Sequence, residues 1–595
     1  MKPIPGYRAK FLSINPKMSS KGKSPRLAEQ SFLFYFSCYW VLTNAILFVS
    51  IELLSLVRAL TPVNITMIML GNFAAVAVVF KLVNRNKRTV LPRPSAANIS
   101  IGTLIAASLL SGIFVAPNNW DSMTYHLPRV LNWFENRGIQ HFVSLVERQN
   151  YISPFGDYQS LGFMAFGSDR WAFMPSFISS LLLVALFAKV CRSLGVSQAL
   201  INIGIFLLLS PNFVSQINTT QVDIRAAAFA AIGLYLLTID RKVSVYLGIL
   251  AFGLAVGTKF ISVIPFAAIL FIKPIRIAIF LTLRKYVAAL FISSLMAISI
   301  NIPWLTRNLE TYGNVAGEAA HVLTGKLEIN SILIDATRYF SSNLLYYPFE
   351  SFNLSVKEIT EKFLMFFFPD AVDTTPYGLN INMVASIPTE DDLSSSILLI
   401  FFLILTILFI VQKRFWFAFA INLPMLLTIL VLAWQPWINR LLLSAFFVGI
   451  LIATYNLEQI RKPYLLKFFS ILSLLSMLTS SLYVLDNERR SLIELFKNPE
   501  QRSSDYFVYR KSLESDFLTV TETLSSMKVS DSLVVGIEDS WEYPLLVLNP
   551  NVRFYADNSK LSKYIVCLDA CTGIDYPNFV VVKTTPNGLK ILAKN

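Results

Sequence analysis

The chain is poor in charge and in histidine. Only 15% of its 595 residues are charged, whereas 54% are hydrophobic and the mean hydropathy is +0.56. This composition excludes an ordinary soluble globular protein. The three histidines, at positions 126, 141 and 321, are too few and too scattered to indicate a metal-binding triad. No glycine-rich nucleotide fingerprint and no DxD-like acid pair stands out, which argues against a nucleotide-sugar enzyme.

Cysteine is also scarce, with four in the whole chain. Cys38 and Cys191 lie in or beside apolar runs, where a thiol is inert. Cys567 and Cys571 are close together in the polar tail and would form a disulfide if that tail is extracytoplasmic. A zinc site there is not expected, because no third or fourth ligand is nearby.

What the chain has in abundance is apolar runs of about 20 residues, the length that crosses ~30 Å of hydrocarbon. The basic residues of the chain fall in the short loops between these runs. The net charge of +14 therefore reflects membrane topology and does not indicate a nucleic-acid partner. The sequence therefore predicts a mainly α, polytopic membrane protein with about 13 transmembrane helices. The predicted spans are about 31–57, 64–83, 99–115, 171–190, 200–213, 223–239, two short helices within 243–272, 286–302, 397–411, 415–433, 441–455 and 468–484.

Charge distribution orients these spans. Residues 1–28 are basic and contain no acid, which predicts a cytoplasmic N-terminal segment ahead of a membrane domain at 29–485. The segments 117–170 and 304–393 then become large outer loops. The run 243–272 is best divided into two short helices that meet near Lys259, because a single helix would place basic residues outside. Lys259 then lies at membrane depth, where it needs an anion or a cavity, or snorkels to the interface.

The composition changes again after residue 485. A helix is predicted at 514–527, and short strands at 534–537, 552–555, 564–568 and 579–583. The segment 486–595 is therefore predicted to be a small α/β domain of about 110 residues, long enough to fold alone. An odd number of membrane crossings after a cytoplasmic N-terminal segment places this domain on the extracytoplasmic side.

The stretch from Asn119 to Arg129 carries an acid, a phenol, an imidazole and a guanidinium at the mouth of a predicted membrane helix. Ionisable groups at a membrane boundary are costly to desolvate, which favours a functional site. The alternative is an interfacial belt with Trp120 and Tyr125 as anchors. The apolar stripe that begins at Leu127 predicts an amphipathic helix on the membrane surface, with Arg129 off the stripe.

Asp121, followed by the sequence Tyr-His-Leu-Pro-Arg at 125–129, resembles the first outer loop of the glycosyltransferase C superfamily. The branch it resembles contains the protein O-mannosyltransferases and aminoarabinose transferases, polytopic enzymes that use polyprenyl-phosphate sugars. Arg307-Asn308 and the turn 434–440 are similar to further motifs of this family, although Ser444 stands where the family has a proline. The resemblance covers residues 98–456 in separate motifs. It implies that Asp121 is the catalytic base.

Sugar transfer from a polyprenyl phosphate requires a base, cations for the departing phosphate and an apolar groove. His126 is expected to hydrogen-bond the phosphate or to brace Asp121. The cationic candidates for the donor phosphate, all predicted near the outer boundary, are Arg129, Lys259, Arg307 and Arg440. The further candidates for substrate binding, each in a stretch or turn similar to the family's, are Tyr125, Asp157 and Asp223.

The sequence thus predicts an inverting glycosyltransferase that moves a sugar from a polyprenyl-phosphate donor to an acceptor hydroxyl. Its expected partners are that lipid donor, membrane lipids, and an acceptor that is a protein, a lipid or a glycan. The expected location is a bacterial inner membrane, with the site on the extracytoplasmic face. No cofactor is certain, and the resemblance leaves a divalent metal ion open. The alternative is a transporter or flippase of a lipid-linked saccharide.

Overall fold

The computed structural model describes most of the chain. The described residues are 32–84, 95–317, 328–345, 350–369, 393–435, 437–460, 462–487, 489–497, 502–556, 562–568 and 578–595. The predicted cytoplasmic segment 1–28, the basic loop near 85–93 and Cys571 lie outside them.

The first part of the chain is helical from Phe32 onward. Its helices are α1 Phe32–Leu56, α2 Pro62–Asn84, α3 Ala96–Phe114, a π-helical turn Ser122–His126, α4 Leu127–Asn136, α5 Arg148–Tyr151, α6 Phe155–Met164, a 3-10 turn Asp169–Trp171, α7 Met174–Ser193, α8 Gln198–Leu208, α9 Pro211–Ser215 and α10 Asp223–Leu237. The second part continues with α11 Lys242–Lys259, a 3-10 helix Phe260–Phe271, α12 Lys273–Lys285, α13 Val287–Ser299, α14 Ile302–Tyr312, α15 Ile329–Leu344, α16 Glu350–Phe367, α17 Ser396–Val411, α18 Phe415–Ile429, α19 Ile438–Leu441, α20 Leu443–Glu458 and α21 Pro463–Leu485.

Within the described residues, six helices are long and apolar enough to cross a membrane. They are Phe32–Leu56, Ala96–Phe114, Asp169–Ser193, Lys242–Phe271, Val287–Tyr312 and Pro463–Leu485. Shorter apolar helices accompany them at Pro62–Ala75, Gln198–Leu208, Ser396–Val411, Phe415–Ile429 and Leu443–Glu458. The predicted class, a polytopic helical membrane protein, is confirmed.

The break predicted within 243–272 is confirmed. The backbone of Lys259 is extended, at φ −164° and ψ 102°, and separates α11 from the 3-10 helix. The two pieces are of similar length, about 27 Å for 18 α-helical residues and about 24 Å for 12 residues of 3-10 helix. The chain returns to where α11 began, because Lys285 Nζ donates to both carboxylate oxygens of Asp240 at 2.8 Å.

The amphipathic helix predicted after Asp121 exists as α4, but it does not lie on a free surface. Leu127, Val130 and Trp133 are buried, and so is Arg129, which had been expected off the apolar stripe. The helix packs against α6 and also against the helix Glu542–Leu548 of the C-terminal domain. These two partners bury more of its surface than an interfacial helix would bury.

Helix α10 lies at the centre of the helical part, and all its residues are buried. Its run of alanines lets neighbouring backbones approach closely. At Gly233 a Cβ atom would lie 2.8 Å from the carbonyl oxygen of Gly248 on α11, so this crossing requires glycine.

The C-terminal part is a small α/β domain, as predicted. Its elements are α22 Leu492–Lys497, α23 Arg502–Asp505, a 3-10 helix Val508–Leu513, α24 Glu514–Ser526, β1 Asp531–Val535, α25 Glu542–Leu548, β2 Arg553–Tyr555, β3 Tyr564–Cys567, β4 Phe579–Thr584 and β5 Lys590–Lys594. The sheet order is β2-β1-β3-β5-β4. Strand β1 is parallel to β2 and β3, and β5 is antiparallel to β3 and β4. The last strand, β5, was not predicted.

One carboxylate anchors this domain to the helices. Asp169 accepts hydrogen bonds from Arg502 at 2.6 Å and from the hydroxyl groups of Tyr506 and Tyr543 at 2.7 and 3.1 Å. The domain is therefore fixed beside the Asp121 loop. Cys567 on β3 is disulfide-bonded, whereas Cys38 and Cys191 are free thiols.

Candidate active site

A π-helical turn presents Asp121 and its neighbours. Helix α3 ends at Phe114, and the wider turn Ser122–His126 begins directly after Asp121. π-helical turns are rare and occur frequently at functional sites. The Asn119 side chain accepts from the Ser122 backbone N–H at 2.6 Å, and the Ser122 hydroxyl contacts that of Thr220. The second contact ties this turn to the loop that leads into α10.

Asp121 is held by Arg440. Nη1 of Arg440 donates to Oδ2 of Asp121 at 2.5 Å, and both side chains are buried. Burial by itself would raise the pKa of Asp121, but the charge of Arg440, with a smaller contribution from His126, outweighs it and lowers that pKa overall. Asp121 is therefore a carboxylate at neutral pH. It already contacts a cation of the kind that binds phosphate.

A second ion pair lies beside the first. Nζ of Lys259, at the break between α11 and the 3-10 helix, is 2.7 Å from Oδ1 of Asp223 at the start of α10. Lys259 also interacts electrostatically with Arg440 and Asp121. A lysine at this depth was expected to require an anion, and Asp223 is that anion. The predicted residues Asp121, Tyr125, Asp223, Lys259 and Arg440 thus lie together.

His126, Arg129 and Asp157 form a network of their own next to this group. Nδ1 of His126 is hydrogen-bonded to Oδ1 of Asp157 at 2.6 Å, and Nη1 of Arg129 donates to Oδ2 at 2.9 Å. Nη2 of Arg129 donates to the carbonyls of Asn150 and Ile152 at 3.2 and 2.7 Å. Burial would raise the pKa of Asp157, but His126 and Arg129 lower it overall. Contact of Arg129 with a donor phosphate would require these bonds to break.

Arg307 belongs to another cluster. It donates to both carboxylate oxygens of Glu52 at 2.8 and 3.0 Å and to the hydroxyl of Tyr158 at 3.2 Å. The Tyr158 hydroxyl also donates to Glu52 at 2.8 Å. Arg307 is linked to Arg129 only electrostatically. Both terminal nitrogens of Arg307 therefore already have acceptors within this cluster.

The C-terminal domain closes over the other side of the turn. Arg148 pairs with Glu538 at 2.9 Å and with Asp539, while its guanidinium lies 5.0 Å from the centre of the Tyr125 ring. Arg148 also interacts electrostatically with Asp121. The ring of Trp541 packs against that of Trp120 with centroids 5.2 Å apart. The segment 538–541 thus contacts residues on both sides of Asp121.

Sequence analysis missed Glu52, Arg148 and Arg225. Glu52 and Arg225 each carry a charge within an apolar run, a signal that could have revealed them. Arg225 is fully buried and donates to the carbonyls of Gly156 and Ala172 at 2.7 and 3.3 Å, which fixes the start of α6. Nothing in the sequence around Arg148 indicates its partners, because these lie in another domain.

Among the described residues, no three histidine, cysteine, aspartate or glutamate side chains are placed to hold a metal ion together. Three consecutive acids at 390–392, which precede a predicted membrane helix and could cap it, bind acceptor or bind a metal, lie outside the described residues. The cations of the site are the side chains of Arg440, Lys259 and Arg148.

Fold and site together define a polytopic helical membrane protein with a buried, cation-held carboxylate at one end of its helices. Among solved structures, the chain is similar to the crystal structure of ArnT from Cupriavidus metallidurans bound to undecaprenyl phosphate. The sequence identity is 9% and the TM-score 0.35, over 84% of this chain and 98% of that chain. The apo structure of ArnT gives 9% identity and a TM-score of 0.37, over 83% and 97% of the two chains.

ArnT is an aminoarabinose transferase, a glycosyltransferase of the C family. The motif around Asp121 resembles that same family. No protein-family model and no curated protein matches the chain. A likeness of this degree concerns the course of the chain and does not extend to a substrate or to individual site residues.

Proposed function

We propose that this protein is a membrane glycosyltransferase. It transfers a sugar from a polyprenyl-phosphate donor to an acceptor hydroxyl, with inversion, on the extracytoplasmic side of a bacterial inner membrane. One observation carries the proposal: Asp121 is a buried carboxylate whose partner, Arg440, is a cation suited to phosphate. The reaction requires a base on one side of the anomeric carbon and a ligand for the departing phosphate on the other, and Asp121 and Arg440 are groups of these two kinds.

Asp121 acts as the general base in this proposal. It accepts the proton of the acceptor hydroxyl while the hydroxyl oxygen bonds to the anomeric carbon and the bond from that carbon to the phosphate oxygen breaks. One carboxylate is enough, because inverting transfer has no covalent enzyme intermediate. The electron pair of the broken bond leaves with the polyprenyl phosphate.

Arg440 links donor binding to the strength of the base. With Arg440 bound, the pKa of Asp121 is lowered, and a carboxylate of low pKa is a weak base. A donor phosphate has two oxygens for a guanidinium fork and competes with Asp121 for it. When the phosphate takes Arg440, Asp121 loses its strongest cation, and burial then raises its pKa. The base thus becomes stronger only when donor is present.

Lys259 supplies a second cation near the same phosphate, and in the absence of donor its Nζ lies 2.7 Å from Oδ1 of Asp223. Arg148 contributes positive potential from the other side of Tyr125. In this proposal His126 and Arg129 act through Asp157, as positioning residues for the turn that carries Asp121.

The test uses the purified full-length protein with a panel of radiolabelled polyprenyl-phosphate sugars and candidate acceptors. Wild type is compared with Asp121→Asn, which keeps the size of the side chain, and with Arg440→Ala. We expect release of free polyprenyl phosphate or labelled product by wild type only, with donor binding retained in Asp121→Asn. Arg440→Ala is expected to lose donor binding.

If wild type and Asp121→Asn both bind donor and neither turns it over with any acceptor, the transporter alternative takes precedence. A measurement of lipid-linked sugar movement across reconstituted vesicles then decides that alternative directly. If Arg440→Ala binds donor as wild type does, the phosphate role of Arg440 is refuted.

A further inference from the structure

Arg338 on α15 is a buried cation for which the described part of the chain provides no hydrogen-bond acceptor. Its side chain is 0% exposed, and within the described residues none of Nε, Nη1 and Nη2 has an acceptor. The nearest carboxylate oxygen, Oδ1 of Asp335, is 3.9 Å from Nη1, beyond hydrogen-bond distance. The guanidinium carbon lies 5.4 Å from the centre of the Trp434 ring. A guanidinium has five N–H donors, so burial at this position leaves several donors without a hydrogen bond among the described residues.

Arg225 shows how this chain buries an arginine for structure alone. It too is fully buried, but its three nitrogens donate to two carbonyls and to the hydroxyls of Ser176 and Ser160, with each of these distances between 2.7 and 3.3 Å. Arg225 is thus satisfied by protein atoms. Arg338 is equally buried and lacks such partners, so packing does not account for it. A buried polar group without a partner calls for an explanation, and a bound anion is one.

The helix that carries Arg338 is held firmly in place. The Tyr339 hydroxyl donates to the carbonyl of Leu432 at 2.9 Å, and Nδ2 of Asn439 donates to the carbonyl of Ser342 at 3.3 Å. The Trp434 backbone N–H donates to Asp335 at 3.3 Å. Helix α15 is therefore docked on the turn 432–441. Arg440, the partner of Asp121, lies on this same turn.

We propose that Arg338 binds a phosphoryl oxyanion, at a second anion subsite separated from the Asp121 site by the turn 432–441. The Trp434 ring supports one face of the guanidinium, and its planar fork offers two parallel N–H groups to the anion. Two anion subsites on either side of one turn suit a substrate with two anionic groups. The inference rests on the proposed function only for the source of the oxyanion. Whether the subsite binds an anion can be tested without any catalytic activity.

Thermal unfolding of the full-length protein in lipid nanodiscs tests this subsite. The probes are inorganic phosphate, with chloride at matched ionic strength as reference, and a polyprenyl phosphate. The variants are Arg338→Met, which keeps an apolar volume, Arg338→Lys, and the control Arg225→Met. We expect phosphate to raise the Tm of wild type and of Arg225→Met, and to leave that of Arg338→Met unchanged.

The baseline without phosphate separates a ligand-binding arginine from a structural one. Because removal of an orphaned buried cation relieves its desolvation, Arg338→Met is expected to unfold at or above the wild-type Tm, whereas Arg225→Met, which loses satisfied bonds, unfolds below it. Arg338→Lys is expected to keep part of the phosphate response.

The two probes identify the source of the anion. A response to inorganic phosphate that depends on Arg338 shows a subsite open to free oxyanions, and a response to polyprenyl phosphate alone shows a lipid-held one. If neither probe gives a shift that depends on Arg338, or if Arg338→Met unfolds below wild type with its phosphate response intact, the proposal is overturned. Loss of donor turnover in Asp121→Asn has no bearing on these shifts, so the two proposals fail separately.

Discussion

Asp121 and Arg440 are 319 positions apart in the chain, and their side chains meet at 2.5 Å. The first follows a membrane helix near the start of the chain, and the second begins a helix near the end of the membrane part. Removal of Arg440 takes from the buried Asp121 carboxylate its strongest cation, which is costly in a medium of low dielectric constant. This contact is therefore the most informative one to perturb.

Arg440→Gln is expected to lower the free energy of unfolding by about 3–5 kcal/mol, because Asp121 is left buried without its cation. In the wild type the lowered pKa of Asp121 contributes stability above about pH 4 that is lost as the pH falls through the folded pKa. In Arg440→Gln this contribution disappears, and burial raises the pKa instead. The acid limb of the pH–Tm profile, the fall in Tm below about pH 4, should therefore be smaller in Arg440→Gln than in wild type, with Arg440→Lys between the two. An unchanged acid limb would show that Arg440 does not set the pKa of Asp121.

Lys259 and Asp223 are expected to be coupled. Asp223→Asn leaves the partly exposed Lys259 without its carboxylate, and Lys259→Met leaves the buried Asp223 without its cation, whereas the double variant leaves neither charge. A double-mutant cycle of unfolding free energies should therefore give an interaction of about 1–3 kcal/mol, with the double variant more stable than the sum of the single changes predicts. Additive single effects would mean that each residue finds another partner when the first is lost.

Asp169→Ala should loosen the C-terminal domain, because one carboxylate accepts hydrogen bonds from Arg502, Tyr506 and Tyr543. Limited proteolysis is expected to cleave this variant several-fold faster than wild type after residue 485. Asp240→Ala is the matched control, since its pair with Lys285 is exposed and such pairs contribute about 0–1 kcal/mol. Equal cleavage of Asp169→Ala and Asp240→Ala would locate the anchor elsewhere.

Asp505 is expected to make stability depend on pH with the opposite sign to Asp121. Burial raises the pKa of its carboxyl from 3.8 to about 6, although the Ala116 backbone N–H and Arg502 lower it. The folded state therefore binds the proton more tightly than the unfolded state, and stability falls as the pH rises from about 4 to about 6. At pH 7 the cost has an upper limit of about 3 kcal/mol, because the side chain is only half-buried.

Asp505→Asn removes this dependence and keeps an acceptor for the Ala116 N–H. The variant should have a higher Tm than wild type at pH 7 and an equal one at pH 4. Equal Tm values at both pH values would mean that the carboxyl titrates normally.

The membrane helices could be predicted from sequence because their signal is local. Runs such as 31–57 and 468–484 match α1 and α21 within a few residues at most ends. The break at Lys259 could also be predicted, because it follows from counting basic residues on each side. Strand β5 was missed, since Lys590–Lys594 is short and has a charge at each end.

Membership of the site was predicted only in part. The sequence placed Asp121, Lys259 and Arg440 near one boundary, and the structure brings them together. The sequence also predicted Arg307 and Arg129 as ligands of the donor phosphate. In the structure the Arg307 guanidinium donates to Glu52, and that of Arg129 donates to Asp157. Their roles toward donor remain predictions.

The sequence by itself determined the class of this protein, because hydropathy, loop charge and strand alternation act over a few residues at a time. Only the tertiary structure decided which cation meets which acid, because those pairs join residues up to several hundred positions apart. Arg225 and Arg338 make the distinction plain. Both arginines are fully buried among helices. Carbonyls and hydroxyls from distant positions accept hydrogen bonds from Arg225, whereas none of the described residues packs an acceptor against Arg338.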